Sequence, residues 1–252
     1  METPFEIRYN NIKLQVERLY KSADAPGTDR FPGLEDVSFS LKGGECVHLR
    51  NSVPLANQLL LAALMGRTRI DAGAIWVEHQ GQWLNLPQLS HRQAGQIQAR
   101  TIGYLGQSEA LRSEVTVVDC VLHQLIALEF SREQAEAHAR HVLDWVGLPR
   151  RVWHRAPADL PLAELHQVNL ARTFAIDYSV IVIDLPIEHI DPANQRRLLE
   201  LIAYRKAQGT CFIGHFEHKD LWRQICDRSL AIHSHAPIPT AVAADNIAVH
   251  SY

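Results

Sequence analysis

Apolar and polar residues alternate from the start of the chain. Across residues 5–20 they take turns, with Ile12, Leu14 and Val16 on one face, which is the period of a half-buried strand. Residues 21–33 carry Pro26, Gly27, Pro32 and Gly33 and read as a loop. Alternation returns over residues 34–41, Gly43-Gly44 turns the chain, and residues 46–49 form a short apolar strand. The stretch 54–66, rich in Leu and Ala, predicts a helix ended by Gly66. Asp71-Ala72-Gly73 predicts a turn, and residues 74–77 and 83–86 a hairpin across Gly81. A polar helix over 90–100 and a strand over 101–106 complete the first half.

The pattern then changes period. Residues 116–130 read as an apolar helix, and Ser131 with Gln134 sets a capping box for a second helix running to Trp145. A third helical stretch covers 157–174. Val180-Ile181-Val182-Ile183-Asp184 is a continuous apolar run ending in a carboxylate, as expected of a strand buried on both faces. After it come a helix (194–207), a strand (210–214), a helix (219–226) and a last strand (229–232). Strands alternating with helices predict a mainly parallel sheet covered on both faces, with an antiparallel part and an inserted helical subdomain. The expected organisation is one domain over residues 5–232, with the helical subdomain at about 108–165, and a tail over 233–252 rich in Ala, Pro and His.

Composition narrows the classes. With 252 residues the chain can bury a full core without metals or disulfides. A net charge of -3 argues against broad nucleic-acid binding. No apolar run is long enough to cross a bilayer, and residues 1–6 lack the features of a signal peptide, so any membrane link is expected to run through a partner. Cys46, Cys120, Cys211 and Cys226 form no CxxC and read as free thiols of a reducing cytoplasm. His138 and His141 stand at i, i+3, but such pairs are mostly solvated and no metal site is expected.

An ordered series of short pieces carries a likeness: Gly44-Glu45-Cys46-Val47, Asp71-Ala72-Gly73, Ile102-Gly103-Tyr104-Leu105-Gly106-Gln107, Val168-Asn169-Leu170-Ala171-Arg172, Asp177-Tyr178, Ile183-Asp184-Leu185-Pro186, Ile190-Asp191 and Asp227-Arg228. In this order they resemble the ABC-type ATPase domain, a P-loop NTPase fold. The series is most similar to the ATPase-like L subunit of the carbon–phosphorus lyase system and, more distantly, to the ATPases of lipoprotein-export systems.

The resemblance implies a nucleotide site and also shows where this chain departs from it. The family's phosphate-loop glycines fall on Asn51, Pro54 and Ala56, its phosphate-binding lysine on Asn57 and its Mg-binding hydroxyl on Gln58. Side chains at glycine positions resist the backbone angles of a phosphate nest, and a neutral amide replaces a cation. The Ser-Gly-Gly signature falls on Pro161, Leu162 and Ala163, and the catalytic Glu on Leu185. Asp184 retains the metal-linked carboxylate position. The switch His maps to Glu217 on the spacing of the lyase subunit and to His215 on the commoner spacing. Tyr20 falls at the adenine-stacking place, Gln107 at the Q-loop and Asp191 at the subunit-contact loop. For Tyr20 a plain strand-edge role is the better reading; for Gln107 and Asp191 a partner contact and a local polar role stand equal.

These departures lead to the expectation of a pseudo-ATPase. It would be non-hydrolysing, have no bound ATP or Mg, and act as a scaffold or regulatory subunit on a protein partner. That partner would be an ABC permease, an ABC ATPase paralogue, an enzyme complex or a second copy. The alternative is an ATP-binding, energy-coupling subunit of a transporter or a phosphonate-processing complex, with atypical nucleotide contacts.

Overall fold

The computed structural model describes residues 11–23, 33–50, 53–106, 115–185, 190–216 and 223–235. Ten strands fall into two five-stranded sheets among these residues. The antiparallel sheet has the order β10-β2-β1-β4-β5, from β1 (Ile12–Lys21), β2 (Gly33–Lys42), β4 (Ala72–His79), β5 (Gln82–Asn85) and β10 (Ser234–His235). The parallel sheet has the order β6-β7-β8-β3-β9, from β3 (Cys46–Arg50), β6 (Ile102–Gly106), β7 (Val180–Asp184), β8 (Cys211–Gly214) and β9 (Arg228–Ala231).

The apolar run of β7 is explained by its place between β6 and β8. Its side chains divide by period two. Val180 and Val182 join a core with α1 (Pro54–Leu64) and the antiparallel sheet. Ile181 and Ile183 join a second core with the helices α3 (Val117–Ala127), α4 (Arg132–Trp145), α5 (Leu162–Phe174) and α6 (Pro192–Ala207). The parallel sheet is thus the shared wall of two cores. Val47 and Leu49 of β3 face the first, and Cys46 faces the second.

Helix starts follow local chemistry. Thr116 and Ser131 close reciprocal capping boxes on α3 and α4, and Ser90 closes a third on α2 (His91–Arg100). The box at Ser131 is the one read from the sequence.

Four boundaries differ from the sequence reading. The helical stretch over 157–174 is two pieces: a 3-10 turn at Pro157–Asp159, then α5, separated at Leu160 and Pro161. Pro161 drives its preceding residue out of helical geometry, so the chain restarts there. Asp71-Ala72-Gly73 does not stand apart as a turn, because β4 already begins at Ala72 through its pairing with Tyr20. The helix α6 starts two residues earlier, at Pro192, since Asp191 caps it and a proline suits the first helical position. Beyond Ala231 the chain forms one more strand, β10, which pairs with Gly33 and Leu34. Of the helix expected over 219–226, residues 223–225 are helical, and 219–222 lie outside the described residues.

Candidate functional site

The strand β3 ends at Arg50, and α1 begins at Pro54 after Val53. Asn51 lies between them, outside the described residues. Val53 offers no side-chain acceptor, so α1 has no side-chain cap and no acidic residue in its first turn. Pro54 is tolerated because an N–H at the first position has no partner within the helix in any case. One turn into α1 the chain reaches Asn57 and Gln58.

These two neighbours point differently. Gln58 is exposed, whereas Asn57 is 1% exposed. The Asn57 amide meets His215 Nδ1 at 3.1 Å, and the same Nδ1 stands 3.1 Å from the Leu49 carbonyl oxygen. The arrangement without a clash of acceptors has Nδ1 carrying its hydrogen, donating to Leu49 O, with the Asn57 amide turning its oxygen to the same N–H. With the amide in the opposite sense its Oδ1 is buried without a partner. His48, on β3, stacks on His215 with ring centroids 5.8 Å apart and 19° between planes, and it also meets Phe216. His48 is 6% exposed. A group of two imidazoles and an amide, buried at His48 and Asn57 and half-buried at His215, therefore ties the ends of β3 and β8 to the first turn of α1.

At the end of β7, Asp184 is half-buried and accepts a hydrogen bond of 2.9 Å from the Tyr104 hydroxyl of β6. The Arg67 guanidinium sits 4.1 Å over the centre of the Tyr104 ring, completing a carboxylate, phenol and cation sequence. Burial, and then the bond to Asp184, push the Tyr104 hydroxyl up to about 12. Leu185, next along, is 5% exposed and packs in the core with the helices.

The remaining positions are scattered. Pro161 caps α5 without a side-chain bond, Leu162 is 64% exposed at its first position, and the Ala163 carbonyl accepts from the Asn194 side chain at 2.8 Å. Asp191 accepts from the backbone N–H groups of Ala193 and Asn194, each at 3.1 Å, so its local role is the cap of α6. Tyr20 is on β1 and 39% exposed. Gln107 and Glu217 lie outside the described residues. The structure thus joins Asn57 to His215 and gives Asp184 a partner. His48, Tyr104 and Arg67 were missed; a polar residue inside the apolar run of β3 was the available signal for His48. No group of three or more His, Cys, Asp or Glu is placed to hold a metal among the described residues. His138 Nε2 is engaged by the Ala175 carbonyl at 2.8 Å.

The Tyr104–Asp184 bond gives an alkaline signature. Burial raises Tyr178 to about 12 as well, so both phenols resist ionisation in the folded state. A raised folded value means stabilisation complete below pH ~10 and lost as pH rises through ~12. Denaturant titrations at stepped pH are expected to show stability falling across that window in the wild type. Tyr104→Phe is expected to fall less steeply, with Tyr178 and the raised thiols of Cys46 and Cys211 left as contributors. An unchanged slope in the variant rules out Tyr104 as a contributor.

The ABC transporter family pattern matches residues 34–188. The lipoprotein-releasing system ATP-binding protein LolD of Chromohalobacter salexigens is 27% identical over 205 residues, covering 80% of this chain and 83% of that protein. LolD of Koribacter versatilis is 29% identical over 200 residues, covering 79% and 86%. The fold is shared with the ATP-binding cassette MJ0796, solved as a dimer in a post-hydrolysis state bound to ADP and Pi, at a TM-score of 0.75 and 18% identity over 87% of this chain and 94% of that one. It is shared too with cbiO1 from Clostridium perfringens, part of the ABC transporter complex cbiONQ, at a TM-score of 0.69 and 16% identity over 88% and 85%. Among the described residues no helix is long and apolar enough to cross a membrane. With the family pattern spanning more than half of its length, this chain belongs to the ABC transporter family, in the lineage of its ATPase domains.

Proposed function

We propose that this chain is a non-hydrolysing ABC ATPase homologue that acts in the cytoplasm as a scaffold or regulatory subunit, docked on a protein partner. The observation that carries the reading is the orientation of Asn57. The residue at the lysine position is neutral, 1% exposed and engaged by the ring of His215. Mg·ATP fits these side chains poorly. A cation facing the phosphates would supply charge-assisted bonds of roughly 1.5–3 kcal/mol each, and an engaged amide supplies none of them. Leu185, buried among apolar neighbours at the position of the catalytic Glu, puts an apolar side chain where a carboxylate would orient an attacking water. Leu162, exposed at the start of α5, puts bulk where the resemblance places a glycine.

The partner is a permease, an ATPase paralogue, an enzyme complex or a second copy, met through the helical subdomain of about residues 108–165 within a single domain of residues 5–232. The likeness to the L subunit of the carbon–phosphorus lyase system makes a phosphonate-processing complex the first one to test. A second reading, an ATP-binding energy-coupling subunit with atypical contacts, is favoured by the names of the relatives, which are ATP-binding proteins of a lipoprotein-releasing system.

Calorimetric titration with Mg·ATP at millimolar ligand separates the two. The scaffold reading expects no heat of binding and no phosphate release. Saturable binding with steady turnover, abolished by Asp184→Asn, establishes the second reading instead.

A further inference from the structure

The opening of β3 brings two thiols together. Cys46 and Cys226 are 180 positions apart in sequence, yet their Sγ atoms lie 3.2 Å from each other. Both are free thiols; Cys46 is fully buried and Cys226 half-buried. The approach is built by the backbone. Asp227 Oδ2 accepts from the Cys46 N–H at 2.7 Å, and the Asp227 N–H donates to the Cys46 carbonyl at 2.9 Å. Lys206 then clamps the segment from the other side, donating to the Ile225 carbonyl at 2.9 Å and to Asp227 Oδ2 at 2.7 Å. Cys226 is thus fixed between two anchored neighbours and aimed at Cys46. Shortening the separation to the disulfide length of about 2.05 Å needs a movement of about 1 Å, within the reach of side-chain rotation.

We propose that Cys46 and Cys226 are a modification site, a dithiol that a peroxide closes into a disulfide. The less buried member reacts first: the Cys226 thiolate attacks one peroxide oxygen, forming a sulfenic acid and releasing an alcohol, or water from hydrogen peroxide. The Cys46 sulfur then attacks the sulfenic sulfur, the S–S bond forms and hydroxide leaves, taking up the Cys46 proton as water. In sum two thiols and one peroxide give one disulfide, one alcohol and one water; sulfur is oxidised and the peroxide bond reduced. The hydrogen bond with Cys226, then burial, hold the Cys46 thiol well above its ordinary range, which suits it to the resolving role over the first attack.

The consequence is local and mechanical. Residues 223–235 run from the Cys226 turn through β9, an edge strand paired with β3, to β10 on the antiparallel sheet. The bond fastens the root of this bridge between the two sheets. It sits at the first residue of β3, the end opposite the Asn57–His215 group, so its effect is on the attachment of the C-terminal segment.

The test treats the reduced full-length protein with hydrogen peroxide, alkylates the remaining thiols and maps peptides by mass spectrometry. Two of the four cysteines are expected to be lost to alkylation together, in one intramolecular peptide pair containing Cys46 and Cys226. The closed loop is long, so the melting temperature is expected to rise on the order of 5–15 °C and to return with dithiothreitol. Cys226→Ser, at a half-buried position, is expected to fold normally and show neither change, while Cys120→Ser shows both. Full alkylation of all four thiols after peroxide, a stable sulfenic or sulfinic acid at Cys226 without the cross-link, or a pairing that involves Cys120 overturns the proposal.

Discussion

Asn57→Lys, which restores the residue type that the family places at the phosphate loop, is expected to lower the melting temperature on the order of 10 °C and to gain no response to Mg·ATP. The position is 1% exposed, its amide meets His215, which in turn meets the Leu49 carbonyl, and no carboxylate among the described residues is bonded to it. An ammonium there is desolvated without a counter-charge and stands in the first turn of α1, where the helix dipole is positive. A loss of about 3–5 kcal/mol follows, at roughly 2–4 °C per kcal/mol for a chain of this size. The sign with pH is fixed. Burial lowers the folded value of the new lysine below its unfolded ~10.4, so the deficit is full below the folded value and narrows as pH rises toward ~10.4. Asn57→Leu makes the contrast, since His215 keeps Leu49 O as its acceptor, so the amide is lost at a cost of about 1 kcal/mol or less. Thermal melts of both variants from pH 7 to 10, with and without nucleotide, check the argument. A lysine variant that is as stable as wild type and gains several degrees with Mg·ATP would falsify the view that the pocket is committed to the amide–imidazole group.

The orientation of Asn57 is not written in its local sequence. The order of short motifs puts Asn57 at the lysine position, and its side chain is neutral. Which way the amide points depends on His215, 158 positions away, and on the β3–β8 pairing that brings Leu49 beside it. The strongest sequence signals were local. The run at β7 declared a strand covered on both faces, and Ser131 with Gln134 declared a helix start, because periodicity and capping act within a few residues. Signals needing two strands at once were missed. The phenol of Tyr104 reads as one more residue of an alternating strand until β6 lies beside β7 and sets it against Asp184. Cys46 and Cys226 read as unrelated thiols until Asp227 bonds to the backbone of Cys46. The break at Pro161 was legible in principle, since proline disfavours helix at the residue before it, but the apolar spacing on both sides masked it.

The motif Asp71-Ala72-Gly73, read from the sequence as a turn, is the start of a paired strand. It looks like a turn because glycine and aspartate favour turns. In the structure Asp71 accepts from both the backbone N–H and the hydroxyl of Ser22, at 2.7 and 2.6 Å, while its N–H donates to the Tyr20 carbonyl at 2.9 Å. These bonds dock the start of β4 against the end of β1, where the register between Glu17 and Tyr20 is irregular. Gly73 lies inside that irregularity with φ +95°, and a Cβ there would stand 2.5 Å from the Arg18 carbonyl oxygen and 2.6 Å from that of Glu17. Both obstacles are backbone atoms of a paired strand, so no side-chain rotation relieves them. Gly73→Ala is therefore expected to combine a left-handed φ costing about 1–3 kcal/mol with an overlap of similar size. The sum, about 2–6 kcal/mol, corresponds to a melting temperature lower on the order of 5–20 °C. Gly81→Ala is the control: it too has positive φ, +81°, but a Cβ there meets nothing within 4 Å, so only the backbone part remains. Melting curves of the two variants side by side separate steric overlap from conformational strain. Equal losses in both would mean that β1 gives way around residue 18 and that the close approach of β4 does not hold the register.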